Sequence, residues 1–169
     1  MIGDPVLRTR ANDVTDVDGA LVRLSDEMFE TMYEAAGIGL AAPQVGVQQR
    51  FFVYDHGEAD GVILNPEIAE SDGEWAFDEG CLSVPELSFE IVRPKQIHLV
   101  GIDLEGNEVS IEADELEARL FQHELDHLDG VLIVDHLDED QLREAKRFLR
   151  ERTLAAEMPG PSGGGLRLS

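Results

Sequence analysis

Two histidines at positions 123 and 127 have the spacing of a metal site, in the run His123-Glu124-Leu125-Asp126-His127. In a helix, residues four apart lie about one turn apart on one face, so both imidazoles can reach one cation. The glutamate beside the first histidine can contact water bound there. The pattern predicts metal binding. The alternative is a pair of surface or core histidines in an acidic helix, because His-Glu-x-x-His also arises by chance.

A catalytic site of the zinc type generally has three protein ligands and leaves its fourth position to water, so a third ligand is required. In the metzincin proteases this ligand is a histidine six residues past the second one, but the residue here is Ile133, which excludes that family. A downstream glutamate, as in thermolysin-like enzymes, is conceivable at Glu139 or Glu144. Both fall on the predicted last helix without a supporting motif.

Cys81, the only cysteine of the chain, is another candidate for the third ligand. It lies in the run Glu79-Gly80-Cys81-Leu82-Ser83, where the glycine permits a close backbone approach. A single cysteine cannot form an intramolecular disulfide, so this thiol is a candidate ligand or nucleophile. The alternative is a small buried apolar side chain, the commonest environment of a lone cysteine.

The segment from Gly37 to Gln44 interrupts a helical pattern with glycines and small residues ahead of a strand. Small residues allow a polar group to come close to a site. The alternative is a plain helix-to-strand connection whose glycines only permit positive φ.

The hydrophobic pattern predicts the elements that position these residues. Apolar residues at helical spacing indicate helices over 18–36, 113–129 and 138 to about 154, with Gly37 and Gly130 as stops. Between 50 and 111, short runs rich in β-branched and aromatic residues indicate a mostly antiparallel sheet. The strand runs are 51–54, 62–64, 97–102 and 109–111, and the predicted turns are at 60–61, 65–66, 72–73 and 105–107.

An early helix, a block of strands and later helices predict an α+β fold in which one sheet pairs with helix. The 169 residues suit one catalytic domain over 1–157, followed by a mobile tail rich in Pro, Gly and Ser over 158–169. No apolar run is long enough for a membrane span. The N-terminus lacks a cationic segment followed by an apolar one, which predicts a cytoplasmic protein with no membrane partner.

Charge is unevenly distributed along the chain, which has 13 basic and 36 acidic residues and a net charge of −23. Most of the surface therefore repels polyanions, which disfavours DNA as a partner. The exception is the segment 143–152, in which five cations accompany two acids.

Together, the three segments resemble peptide deformylases. Gly37 to Gln44, Glu79 to Ser83 and the run Gln122-His123-Glu124-x-Asp126-His127-Leu128-x-Gly130 look like that family's first, second and third motifs, in the same order. The resemblance implies a small α+β fold with the sheet around the motif-bearing helix. It also implies a hydrolase that removes the formyl group from N-formylmethionine at the start of newly synthesised polypeptides.

The resemblance assigns roles to individual residues. Cys81, His123 and His127 would hold one divalent metal ion, which the family implies to be iron(II), although zinc, nickel and cobalt also suit these ligands. Glu124 would move the proton of the attacking water, and the Gln44 amide and the Leu82 N–H would meet the developing oxyanion. Residues expected to fix the ligands are Glu79, Gln122 and Asp126, and those expected to line a methionine slot are Ile38, Gly39, Leu116 and Leu120.

Two other functions are weighed against the deformylase. One is a peptidase with the same motif, and the other is a nonenzymatic domain with a structural metal, which would need neither Glu124 nor Gln44. The expected partners are formylated nascent peptides. The cationic last helix could also dock on ribosomal RNA, unless its cations only pair with Glu139, Asp140, Glu144 and Glu151 along a solvated helix.

Overall fold

The computed structural model describes residues 5–81 and 84–155. These residues form three α-helices, seven β-strands and three short 3₁₀ turns. The helices are α1 (Gly19–Glu34), α2 (Glu115–Asp129) and α3 (Glu139–Ala155), and the turns are Pro5–Arg8, Ala42–Val45 and Ile133–His136. The strands are β1 (Gly39–Ala41), β2 (Phe51–Asp55), β3 (Asp60–Asp72), β4 (Trp75–Cys81), β5 (Val84–Arg93), β6 (Gln96–Ile102) and β7 (Glu108–Asp114). No helix in these ranges has the length and apolar character that a membrane crossing requires.

Five strands form an antiparallel sheet in the order β1-β2-β3-β6-β7, and β4 pairs with β5 in a separate antiparallel hairpin. Strand β3 pairs with β6, and Asp72 at the end of β3 lies opposite Gln96 at the start of β6. The β4–β5 hairpin therefore branches off the main sheet at the point where β3 ends and β6 begins. The α+β prediction, with a mostly antiparallel sheet and helices at both ends of the chain, is confirmed.

Strand β2 is covered on both faces. Phe52 and Tyr54 belong to a core shared with α2, where the Tyr54 ring meets Phe121 edge-on at a centroid distance of 5.0 Å. Phe51 and Val53 belong to a second core shared with α1. Because successive strand residues face opposite sides, an unbroken apolar run is needed when both sides are buried. The predicted single pairing of sheet and helix is therefore too simple.

Helix α2 begins two residues later than predicted, because β7 continues through Asp114. It ends at the predicted Gly130, which adopts a left-handed conformation with φ +75°. A Cβ atom at Gly130 would lie 2.7 Å from the backbone carbon of Arg8, so the N-terminal segment passes directly over this end of the helix. Both the conformation and the contact require glycine there.

The predicted turns at 72–73 and 105–107 connect strands as expected, whereas those at 60–61 and 65–66 lie inside β3. Asn65 has φ +51°, and the pairing of β3 with β6 shifts register between Leu64 and Glu67. Its side chain accepts a hydrogen bond from the Val14 N–H at 2.8 Å and donates one to the Val14 carbonyl at 2.9 Å. Asn65 therefore forms a β-bulge that ties down the segment before α1.

Helix α3 packs against the hairpin. Its buried Ala145 shares a small core with Phe89 and Ile91 of β5 and with Ile133. The helix covers one face of the β4–β5 hairpin, which carries the second motif. Its bounds lie within one residue of the predicted ones.

Candidate metal centre

The two histidines of α2 meet at a buried point. His123 and His127 are only 3% and 2% exposed, and their Nε2 atoms lie 3.2 Å apart. Nitrogen ligands at about 2.0–2.1 Å from one tetrahedral cation would be separated by about 3.3 Å. The spacing of the two nitrogens therefore fits a pair of ligands on one ion.

Glu79 of β4 holds the far side of the first imidazole. Its carboxylate is fully buried and lies 3.0 Å from His123 Nδ1. Burial alone would raise the pKa of Glu79, but hydrogen bonds from His123 and Arg93 outweigh it and lower the pKa to about 2. An ionised carboxylate only accepts hydrogen bonds, so His123 donates through Nδ1–H and presents the lone pair of Nε2 to a cation. This tautomer is the one that a metal ligand requires.

Arg93, at the end of β5, links Glu79 to the end of the motif. Its Nε atom donates to Glu79 at 2.7 Å and its Nη1 atom donates to Asp126 at 2.8 Å. Asp126 also lies 2.7 Å from Nε2 of His136. Burial would raise the pKa of Asp126, but the hydrogen bonds from His136 and Arg93 and their charges lower it. Asp126 and Glu79 are therefore joined in one ionic network, which is fully buried at Glu79 and partly exposed at Asp126.

Gln122 has a different position from the other two residues expected to fix the ligands. Its amide nitrogen donates to the carbonyl oxygens of Pro94 and Ala118, each at 3.0 Å. Gln122 therefore ties α2 to the segment that follows β5, so it fixes the helix rather than an imidazole directly.

Glu124 is fully buried beside β1. A Cβ atom at Gly39 would lie 2.8 Å from the Glu124 carboxylate oxygen Oε1 and 2.6 Å from Cδ1 of Leu120. The first motif therefore lies in contact with the helix, and a glycine at position 39 lets the strand approach both side chains. In the same motif, the side-chain oxygen Oε1 of Gln44 accepts a hydrogen bond from the Ala41 backbone N–H at 3.0 Å. This bond fixes the orientation of the Gln44 side-chain amide.

The residues expected to line a methionine slot divide by exposure. Leu120 is fully buried, and Ile38 packs against the same core cluster. Leu116 lies one turn before Leu120 and is 37% exposed, so it is not part of the core. These positions run from beside Glu124 out to the surface.

Cys81 is the last residue of β4, two positions after Glu79. A strand rises about 3.3 Å per residue, so its backbone is within about 7 Å of the residue that holds His123. The Cys81 side chain, together with Leu82 and Ser83, lies outside the described residues. Among the side chains that are described, no three histidine, cysteine or acidic groups converge as a metal site. The described donors are two imidazoles, of which His123 is held in the ligating tautomer by Glu79, and their spacing fits a cation that takes a further ligand.

Sequence reasoning missed three members of the network, Arg93, Arg119 and His136. Two of them had a signal. Arg93 shares strand parity with the buried Phe89 and Ile91, and Arg119 is four residues before His123 on the same helix face. A cation at such positions is buried and must therefore be paired. His136 follows α2 in a 3₁₀ turn, and no pattern in the sequence predicts its contact with Asp126.

A buried His-Glu-x-x-His helix whose imidazole is oriented by a carboxylate is the arrangement of a metal-dependent hydrolase. Residues 1–143 match the family model of polypeptide deformylase, so the chain belongs to the polypeptide deformylase family and is a hydrolase. It is similar to the peptide deformylase of Acidothermus cellulolyticus, with 46% identity over 157 residues that cover 93% of this chain and 87% of that protein.

Solved structures of peptide deformylases are also similar to the structure of this chain. The peptide deformylase of Legionella pneumophila has a TM-score of 0.86 and 41% identity, and the match covers 93% of this chain and 95% of that one. The enzyme of Ehrlichia chaffeensis in complex with actinonin has a TM-score of 0.83 and 36% identity, with coverage of 89% and 93%. The likeness therefore extends over nearly the whole of each chain.

Proposed function

We propose that this protein removes the formyl group from N-formylmethionine at the N-terminus of newly synthesised polypeptides. The observation that carries the proposal is the 3.2 Å approach of the His123 and His127 Nε2 atoms beside Glu124 in a member of this family. The substrate bond is a formamide. Its hydrolysis adds water across the C–N bond and yields formate and a free N-terminal amine.

His123, His127 and Cys81 would hold one divalent cation, with iron(II) as the ion that the family implies and zinc, nickel and cobalt as alternatives. When bound, the cation supplies a Lewis acid for the formyl carbonyl and for water. Glu79 keeps His123 in the ligating tautomer through the 3.0 Å contact, and Arg93 keeps Glu79 ionised. The protein's contribution is thus a site whose protonation state is set before substrate arrives.

Glu124 moves the proton in this scheme. One carboxylate oxygen accepts the proton of the attacking water as the new C–O bond forms, and it then delivers that proton to the departing amine. The Gln44 side-chain amide and the Leu82 backbone N–H would donate hydrogen bonds to the oxyanion. For Gln44 this role is supported by the hydrogen bond to Ala41, which holds the amide in one orientation.

The methionine side chain would occupy the space next to Gly39, bounded by Ile38, Leu116 and Leu120. Leu120 is buried against Gly39 whereas Leu116 is partly exposed, so the slot would open at Leu116. An unbranched thioether suits such a slot because it adapts to irregular apolar walls.

We further infer that nascent chains are met in the cytoplasm at the ribosome, through α3. Arg143, Lys146, Arg147 and Arg150 are all exposed on that helix, whereas the buried Ala145 faces the hairpin. Arg143 lies 3.5 Å from Asp140 and 3.9 Å from Glu139, so part of its charge is balanced within the helix. The other three cations support a surface that attracts phosphate.

The function is tested by incubating anaerobically purified protein with a formyl-methionyl peptide and with an unformylated peptide that can be cleaved internally. We expect formate release and no internal cleavage. Glu124→Gln should keep the metal, measured by elemental analysis, and lose about 10²–10⁴-fold in turnover, which is the usual contribution of positioned acid–base catalysis. The exposed Glu115 of the same helix offers a control, and Glu115→Gln should retain full turnover.

Internal cleavage without formate release would identify a peptidase instead. If Glu124→Gln kept more than about a tenth of the turnover, the proton carrier would be another group.

A further inference from the structure

Arg119 of α2 contacts the hairpin strand β4 at three points. Its side chain is fully buried, its Nη1 atom donates to Glu79, and its Nη2 atom donates to the backbone carbonyl of Trp75. Its guanidinium carbon also lies 5.2 Å from the Trp75 ring centroid and 5.6 Å from that of Phe77. One helix residue therefore holds both ends of the strand segment from Trp75 to Glu79.

The elements joined by this arginine carry the proposed ligands separately. His123 and His127 belong to α2, whereas Cys81 ends β4. The hairpin is not paired with the main sheet, so backbone hydrogen bonds of that sheet do not fix its distance from α2. Buried side chains must fix it instead.

The charges around Glu79 also indicate that Arg119 stabilises this part of the site. The network contains two carboxylates, Glu79 and Asp126, two guanidiniums, Arg93 and Arg119, and the His136 imidazole beside Asp126. Without Arg119, the fully buried Glu79 carboxylate would lose one of its two guanidinium contacts next to His123. A buried carboxylate left short of partners draws in water or shifts its position, since an unpaired buried charge is costly.

We propose that Arg119 is a positioning residue for the metal centre, locking the hairpin that carries Cys81 to the helix that carries His123 and His127. This inference rests on the proposed metal site. Arg119 acts through Glu79 and through the Trp75 backbone, both of which it contacts at once. A planar fork with several donors holds two acceptors in a fixed geometry, which a compact ammonium on a flexible stem does not impose and an apolar chain cannot provide.

The test compares Arg119→Met, Arg119→Lys and a matched control, Arg50→Met. Arg50 is also a buried arginine, 6% exposed, and it lies 2.7 Å from Asp129. It therefore contacts the C-terminal end of α2, whereas Arg119 lies near the N-terminal end of that helix. Affinity for Co²⁺ is measured by competition with a chelator, and the electronic spectrum of bound Co²⁺ reports the ligand set. Trp75 is the only tryptophan of the chain, so its fluorescence in metal-free protein reports the docking of β4.

We expect Arg119→Met to lower Co²⁺ affinity by about 10–100-fold, as loss of a group that orients a ligand usually does, and to shift the Trp75 emission. Arg119→Lys should recover part of the affinity because it keeps the charge but lacks the rigid planar fork that fixes both acceptors. Arg50→Met should leave affinity, Co²⁺ spectrum and emission as in the wild type, even if its melting temperature falls.

A folded Arg119→Met protein with wild-type affinity would overturn the inference. If that variant does not fold, Arg119→Lys decides: wild-type affinity in the lysine variant would overturn it equally. Absence of Co²⁺ binding by the wild-type protein would instead refute the proposed metal site, which separates the two failures.

Discussion

At Gly39, strand β1 lies so close to the side chains of Glu124 and Leu120 that a methyl group does not fit between them. At the scale of single residues, this contact connects the first motif to the proposed proton carrier and to the proposed methionine slot. Neither neighbour can retreat easily, because Glu124 and Leu120 are both fully buried.

Gly39→Ala should therefore lower the turnover of a formyl-methionyl peptide by at least about tenfold, because displacement of a catalytic group by 1 Å can cost as much as 10²-fold. Metal content should be unchanged, since the three atoms nearest to the added methyl belong to Leu120 and Glu124 and not to a histidine. Steady-state kinetics and elemental analysis measure the two quantities. Gly19→Ala, at the first turn of α1, is the control and should retain full turnover. Unchanged kinetics in Gly39→Ala would show that the carboxylate lies elsewhere during catalysis.

At the scale of elements, the position of α2 depends on how the helix ends. Gly130 combines a left-handed conformation with a backbone contact to Arg8, whereas Gly106 has φ +83° and nothing within 4 Å of an added Cβ. Alanine variants at these two glycines therefore separate the cost of the left-handed conformation from the cost of steric contact. Both glycines lie outside the proposed centre.

Gly106→Ala should cost about 1–2 kcal/mol of unfolding free energy, which is the usual penalty for a side chain in the left-handed region. Gly130→Ala should cost more, because the N-terminal segment must also move away from the helix end. Urea denaturation of the two variants measures the difference. Equal losses would mean that the contact with Arg8 contributes nothing.

The elements differ in how far the sequence predicts them. Helices α1, α2 and α3 begin and end within two residues of the predicted bounds, because the apolar spacing of all three and the glycine stops of α1 and α2 are local signals. Asn65-Pro66 misled the prediction because a turn-forming pair also suits a bulge, and only the contact with Val14 distinguishes the two. The site follows the same division. Spacing along the chain predicts the pair His123 and His127, but the pairing of Arg119 with Glu79 depends on how a hairpin docks, which no local pattern records.

At the scale of the whole molecule, the exposed cations of α3 contrast with a net charge of −23. Replacing Arg143, Lys146, Arg147 and Arg150 by Gln should reduce co-sedimentation with ribosomes and its dependence on salt, since fewer phosphate contacts release fewer counterions. Turnover of a short formylated peptide should be unchanged. A control that removes the same charge at Arg8, Arg10, Arg23 and Lys95 should sediment like the wild type. Equal binding by both variants at low salt would rule out docking through α3.

The return of the chain at Asp72 and Gln96 has a consequence for the order of folding. Because these residues pair with each other, β3 and β6 can reach their register whether or not the hairpin between them has formed. Closing such an excursion costs entropy that grows only slowly with its length, and supersecondary units of this kind open and close as separate cooperative units. The sheet and α2 can therefore assemble first, and the hairpin can join them afterwards. The proposed metal centre, with one ligand on the hairpin, would then be completed after the sheet and α2.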